Sequence, residues 1–194
     1  MPETLLRPAT PVDVPALVAL VRSAYRGDES RTGWTTEADL LDDERIDAAG
    51  VLAKIDDPAT TVLVAVDGAG ELIACCEVQL RSGGVGYFGM FAVRPDLQAA
   101  GLGRRVLAAA EQHAAALGAT TMEMTVIAQR TELVEWYVRR GYTLTGETRP
   151  FPYGGAIGGG NSRQDLYFVV LRKALPDRRV DDATSAVPGS VDRA

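Results

Sequence analysis

The stretch GMFAVRPDLQAAGLGRR, Gly89 to Arg105, decides how this chain is read. Its first part is apolar and strand-like, and the residues that follow it are alanine-rich and helix-like. A plain turn between two such elements needs one glycine, or an Asn-Gly pair. Here Gly101-x-Gly103 is followed at once by Arg104 and Arg105. Glycine lets backbone N–H groups approach a ligand closely, and the first N–H groups of a helix are unpaired and positively polarised. The pattern predicts an anion cradle at the start of a helix. The plain alternative is a strand-to-helix turn that uses glycine for its left-handed φ.

Two common phosphate signatures fit poorly. A P-loop needs Gly-Lys-Ser/Thr, whereas Gly103 is followed by two arginines. A dinucleotide fingerprint needs a third glycine at 106, where Val106 stands, and an acidic residue about twenty positions on. That residue would be Glu123, which falls within the next strand rather than at its end.

Working outward, residues Pro11 to Arg26 read as a helix, with Leu17, Leu20, Val21 and Ala24 at helical spacing. A polar loop follows, in which Thr35 or Thr36 is positioned to cap a short helix, leaving Trp34 at the loop's end. Thr61–Val66 and Leu72–Leu80 flank the turn DGAGE and read as a hairpin, and Tyr87–Val93 continues the meander. Gly103–Leu117 is helical and ends at Gly118; Thr121–Ile127 is a strand; Glu132–Arg140 is a helix stopped by Gly141. Tyr142–Gly146 and Leu166–Leu171 complete the strands, separated by the glycine-rich YGGAIGGGNS. The order predicts a mixed α/β layer fold whose strands meet near the glycine loop. Residues 1–175 form one domain, and 176–194, without periodicity or large apolar residues, read as a disordered tail.

Composition narrows the function. The 194 residues are 46% hydrophobic and 24% charged, as in an ordinary soluble globular chain, and a chain of this length buries roughly 70% of its unfolded surface. A net charge of −6 disfavours nucleic acid and anionic membranes and suits a cationic substrate such as an amine. Only Lys54 and Lys173 are lysines among the 20 basic residues, a bias that a GC-rich genome also produces. Cys75 and Cys76 are adjacent, so on a strand they face opposite ways and do not form a structural disulfide. A reducing, cytoplasmic location is the simplest expectation. His113, the single histidine, lies in a helical run, which argues against paired-histidine zinc sites and a Ser-His-Asp triad. No signal peptide, membrane span or metal is expected.

Three blocks then fall in a familiar order. Gly89-Met90-Phe91-Ala92-Val93-Arg94-Pro95 precedes Gln98-Ala99-Ala100-Gly101-Leu102-Gly103, a Gln-x-x-Gly-x-Gly pattern, and Glu135–Tyr142 reads EWYVRRGY. Over about residues 4 to 174 the chain resembles the GNAT family, the Gcn5-related N-acetyltransferases. The resemblance implies a GNAT acyl-CoA N-acyltransferase fold, with a central mixed, mostly antiparallel sheet and helices on both faces. It also implies acetyl-CoA as co-substrate, a bulged central strand, and a cleft where that strand splays from its neighbour. The backbones of Phe91 and Val93, with Ala92 between them, would meet the pantetheine arm. N–H groups from Gln98 or Ala99 through Ala100, Gly101, Leu102, Gly103 and Arg104 would hold the pyrophosphate.

Acetyl transfer to an amine needs a neutral amine, a held thioester, a stabilised oxyanion and a proton for the leaving thiolate. A backbone N–H near Met90 or Phe91 would polarise the carbonyl. By helical spacing Tyr137 reads as a core aromatic beside Leu133 and Trp136; by resemblance it is the acid that protonates the CoA sulfur. Glu77 and Glu123 interrupt apolar strands, where desolvation would raise a carboxyl pKa, so either suits a base acting directly or through water. The alternative is a solvent-facing strand position. Glu77 is the first choice as base; Glu123 is kept at the acceptor side. Many members place an asparagine after the strand equivalent to Thr121–Ile127. Here AQRTEL stands there, so that contact is absent or supplied by Gln129 or Arg130. Trp34, Phe151 and Tyr153 either wall the acceptor pocket or anchor their loops.

The sequence therefore predicts transfer of acetyl to a primary amine, of a small molecule rather than a protein. Two rivals remain: a non-catalytic acyl-CoA sensor module, and an enzyme acting on protein N-termini or lysines. The resemblance allows a homodimer through C-terminal strands and leaves oligomeric state open.

Overall fold

The computed structural model describes residues 4–41, 46–153 and 165–176. Seven strands form one sheet: β1 (Leu5–Pro8), β2 (Thr60–Val66), β3 (Leu72–Arg81), β4 (Val85–Val93), β5 (Thr121–Ile127), β6 (Thr143–Pro150) and β7 (Tyr167–Ala174). Their order is β1-β2-β3-β4-β5-β7-β6, with only the β4–β5 pair parallel. The helices are α1 (Val14–Tyr25), α2 (Gly27–Ser30), α3 (Ala48–Asp56), α4 (Leu102–Ala116) and α5 (Thr131–Val138). The mixed, mostly antiparallel sheet expected from the sequence is the one observed.

Each face of the sheet carries its own core. Leu17, Leu20, Val21 and Ala24 of α1 and Val51 of α3 pack on Val62, Val64 and Cys75. Val106, Leu107, Ala110 and Ala114 of α4, with Leu133 and Tyr137 of α5, cover Ala74, Cys76, Val78, Phe88 and Met124 on the other face. Cys75 and Cys76 thus point to opposite cores, both free and fully buried. Burial pushes the Cys75 thiol up to about 12 and holds Cys76 well above the ordinary thiol range, so neither serves as a thiolate nucleophile.

Two features of β4 open the sheet. Its parallel pairing with β5 stops after three residue pairs, ending at Tyr87 with Glu123, and beyond that point the strands part. Against β3 the register jumps from Glu77–Gly89 to Cys75–Ala92, so Met90 and Phe91 lie opposite the single Cys76. This is a β-bulge, and Met90 takes a positive φ of 42° within it.

Three sequence expectations change. The edge strand β1 is too short to show a period. Helix α3 was not predicted: a glycine sits in its first turn, and its cap is Asp47, whose Oδ1 accepts from the Gly50 N–H at 2.7 Å. Near Thr35 and Thr36 the chain forms turns instead of the expected short helix. Of the proposed tail, residues 177–194 lie outside the described residues, as do 154–164 of the glycine-rich loop.

Candidate active site

The splay between β4 and β5 holds two open clefts that share a wall. The smaller, of about 750 Å³, runs from Phe91, Ala92 and Val93 on β4 to Ala99, Gly101, Gly103 and Arg104 at the start of α4. The larger, of about 2420 Å³, lies between α3, the middle of β3 and β4, and the second half of β5. Tyr25, Phe91, Arg130, Leu133 and Tyr137 line both.

The smaller cleft has the backbone features of an anion cradle. Gly101 begins α4 with φ 83° and Ala99 has φ 65°, so successive N–H groups turn toward one concavity. At Gly101 an added Cβ would meet nothing within 4 Å; the left-handed backbone, not crowding, requires glycine there. At Gly103 the reason is packing: an added Cβ would lie 3.3 Å from the Phe91 ring. Arg104 and Arg140 line the same end, and the Arg140 guanidinium stacks 3.5 Å from the Trp136 ring centroid. Burial, then the neighbouring charges of Arg139 and Arg104, hold Arg140 below the ordinary arginine range. Crowded cations beside unpaired N–H groups favour a bound anion. Arg140 and Trp136 lie inside a quoted block, yet sequence reasoning did not single them out.

Several of the expected cofactor residues are engaged within the protein. The Gln98 side chain donates from Nε2 to the Val93 carbonyl at 3.2 Å and accepts the Trp34 N–H at 3.0 Å. It fits because Gly33 has no side chain: a Cβ there would lie 2.4 Å from Oε1. The Phe91 carbonyl accepts from the Tyr25 hydroxyl. Pantetheine pairing at these two carbonyls would therefore displace protein donors. Leu102 buries its side chain in the core and offers only backbone, and Ala100 is exposed and outside the cleft lining. Trp34, expected either beside the acceptor or as a loop anchor, lines the smaller cleft and is 41% exposed.

Tyr137 stands on the shared wall, 4% exposed, packed edge-on against Phe88, Trp136 and Tyr142. Burial raises its hydroxyl pKa well above the ordinary tyrosine value; the Tyr25 hydroxyl adds to this and the Arg130 charge opposes it. The group stays protonated at neutral pH.

In the larger cleft, Glu77 is 6% exposed and accepts two bonds from Lys54 Nζ, at 2.9 and 2.8 Å. The carboxylate projects over Gly89, where any Cβ would come within 3.2 Å of Oε2. Phe151 also lines this cleft, whereas Tyr153 packs behind it, its hydroxyl accepting the Leu166 N–H at 2.6 Å.

Glu123 requires a correction. It lines neither cleft, and Arg149 and Arg172 bond its two oxygens at 3.0 and 2.8 Å, with Arg81 at 3.7 Å. Burial pushes its carboxyl up, but the hydrogen bonds and charges of Arg172 and Arg149 outweigh burial and hold it below the ordinary value. The expected rise is reversed by arginines contributed from β6 and β7.

Arg130, named only as a substitute for a missing asparagine, spans the junction. It is 5% exposed and donates to Glu37 Oε1 at 2.6 Å and to Thr35 Oγ1 at 2.8 Å. Glu37 also bonds Arg26, at 2.9 Å. Gln129 donates instead to the Asp165 carbonyl at 2.7 Å.

Comparison with known proteins agrees with this geometry. The model of the acetyltransferase (GNAT) family matches residues 17–142. No curated protein sequence matches significantly. Among solved structures, the ribosomal-protein-S18-alanine N-acetyltransferase of Escherichia coli superposes with TM-score 0.65 at 14% identity, covering 89% of this chain and 94% of that one. A spermidine N-acetyltransferase chimera of the Vibrio cholerae SpeG protein and hSSAT gives 0.65 at 15%, with coverage of 88% and 95%. The PaiA N-acetyltransferase of Thermoplasma acidophilum, in complex with coenzyme A, gives 0.65 at 14%, with coverage of 89% and 99%. At these identities the likeness is one of fold.

Proposed function

The chain belongs to the GNAT family of N-acetyltransferases, and we propose that it moves acetyl from acetyl-CoA directly to the primary amine of a small molecule. The observation that carries this reading is the shared wall: an anion cradle and a polar, aromatic-walled cleft join at a buried, protonated tyrosine. Pyrophosphate binds the N–H groups from Ala99 to Arg104, helped by Arg140, and the pantetheine arm follows β4 toward the bulge. An N–H at Met90 or Phe91 stabilises the oxyanion. Glu77 takes a proton from the incoming ammonium, directly or through water, and Tyr137 protonates the departing sulfur. The amine attacks the carbonyl without a covalent enzyme intermediate.

Charge pairing supports a small acceptor. A protein terminus or lysine would suit an open acidic groove, but Glu37 and Glu77 are each matched by a cation, and Tyr87, Phe88, Phe151 and Phe168 line the cleft. One of the similar folds acts on spermidine and another on a protein alanine, so fold alone does not choose.

The test is calorimetric titration with acetyl-CoA, followed by CoA-thiol release across small amines and peptides. Binding with release on one class of small amine is the expected result. Release on peptides alone overturns the small-molecule assignment, binding without release overturns the enzyme, and no binding overturns the cofactor site.

A further inference from the structure

We infer that Lys54 is itself an acceptor: its ε-amine occupies the acceptor-amine position on Glu77 and is acetylated in cis when no other amine is present. This rests on the acetyltransferase reading above. Any amine substrate must enter as an ammonium, give its proton to a carboxylate and then face the thioester. In this structure a primary ammonium already does the first of these things. Lys54 Nζ sits 2.9 and 2.8 Å from the two oxygens of Glu77, inside the cleft that leads to Tyr137.

The local build explains how it gets there. Lys54 lies near the end of α3, and Gly50, one turn earlier, lines the same cleft. Glu77 pairs in register with Gly89, two residues before Phe91 at the bulge, a span of about 7 Å along the strand. A lysine chain released from Glu77 has the length and freedom to cover that distance.

Chemistry separates this residue from its neighbours. A guanidinium remains charged and is no acceptor, and all but two of the 20 basic residues are arginine. The other lysine, Lys173, bonds Glu111 at 2.7 Å and lines neither cleft. The step balances simply. One ammonium proton passes to Glu77, the Nζ–C bond forms as the C–S bond breaks, the sulfur takes its proton from Tyr137, and the second proton lost from nitrogen on amide formation restores Tyr137 through water. The products are acetyl-Lys54, free CoA and one proton released to solvent once both side chains are restored. The acetylated chain carries no charge, so it loses its ion pair with Glu77 and leaves an amide in the acceptor's place.

The experiment is incubation of the full chain with isotopically labelled acetyl-CoA and no added amine, followed by intact mass and peptide mapping over time. One labelled acetyl is expected on Lys54, at least roughly tenfold faster than on Lys173 because the amine is held at the site. The rate constant should not change with protein concentration. Lys54→Arg, which keeps the cation, should abolish the label, and Lys173→Arg should retain it. Equal labelling of both lysines, or a rate that rises with protein concentration, overturns the inference. So does an unlabelled Lys54 in a preparation that releases CoA with an added amine, which leaves the acetyltransferase reading standing. Failure of that reading is separately visible as no CoA release with any amine.

Discussion

The two clefts of this site are built by different means. The smaller cleft takes nearly half of its lining from one continuous segment, Phe91 to Arg104, in which glycine, a bulge and a helix start decide the backbone geometry. The larger cleft is gathered from α1, α3, β3, β4, β5, α5 and the loops around Glu37, Arg130 and Phe151. Backbone recognition of a phosphate is a local property, because neighbouring peptide groups supply the donors. Recognition by side chains depends on which distant residues meet, so the same fold can present many acceptor sites.

Arg130 and Glu37 test whether the two clefts are energetically independent. Glu37→Gln leaves Arg130 and Arg26 without their shared carboxylate in a buried setting, and a loss of about 3 kcal/mol in stability is expected by denaturant unfolding. Because Arg130 lines both clefts, affinity for acetyl-CoA and for the acceptor should fall together. Acceptor affinity falling alone would divide the wall between them.

Tyr137→Phe addresses the shared wall without changing its shape. Turnover should drop roughly 10²-fold with acetyl-CoA affinity unchanged in calorimetry. A rate within about twofold of the parent returns Tyr137 to the aromatic core it shares with Phe88 and Tyr142.

Gly103→Val strikes the cofactor side alone. The new side chain meets the Phe91 ring and narrows the cradle, so acetyl-CoA affinity should weaken about tenfold or more while stability changes little. Gly101→Val acts through strain at φ 83° and should cost about 1–2 kcal/mol of stability as well. Equal, negligible effects on affinity would remove the backbone account of this cleft.

The smallest effect lies outside both clefts and serves as their control. Asp13, 2.8 Å from Arg7, has its carboxyl held well below the ordinary value, chiefly by the Arg7 hydrogen bond, with Thr10 adding to it against the cost of burial. A lowered folded pKa means the contribution is present above the unfolded value near 4 and is lost as pH falls through the folded value. Asp13→Asn should therefore destabilise by about 1 kcal/mol at neutral pH, with the difference shrinking below about pH 4 and turnover unaffected.

Much of this was legible before the fold was known. The strands from Thr60 to Val93 and from Thr121 to Ile127, helices α1, α4 and α5, and the glycine turn before α4 all follow from period, glycine placement and helix starts. Glu123 was misread because its alternation in β5 says nothing of Arg149 and Arg172 on other strands. The position of Trp34 was not legible because a loop residue carries no period, and the Gln98 amide places it. Lys54 carried no local signal at all: its meaning comes from Glu77, on a different element.

By itself, then, the sequence determined the element order, the two-sided core and the glycine turn that opens α4, since each depends on residues within one or two turns of one another. Only the tertiary structure decided which carboxylate lines a cleft, which is tied down by arginine, and which lysine pairs with the first. Those are questions of distance between residues far apart in the chain, and charge interactions fall off with that distance.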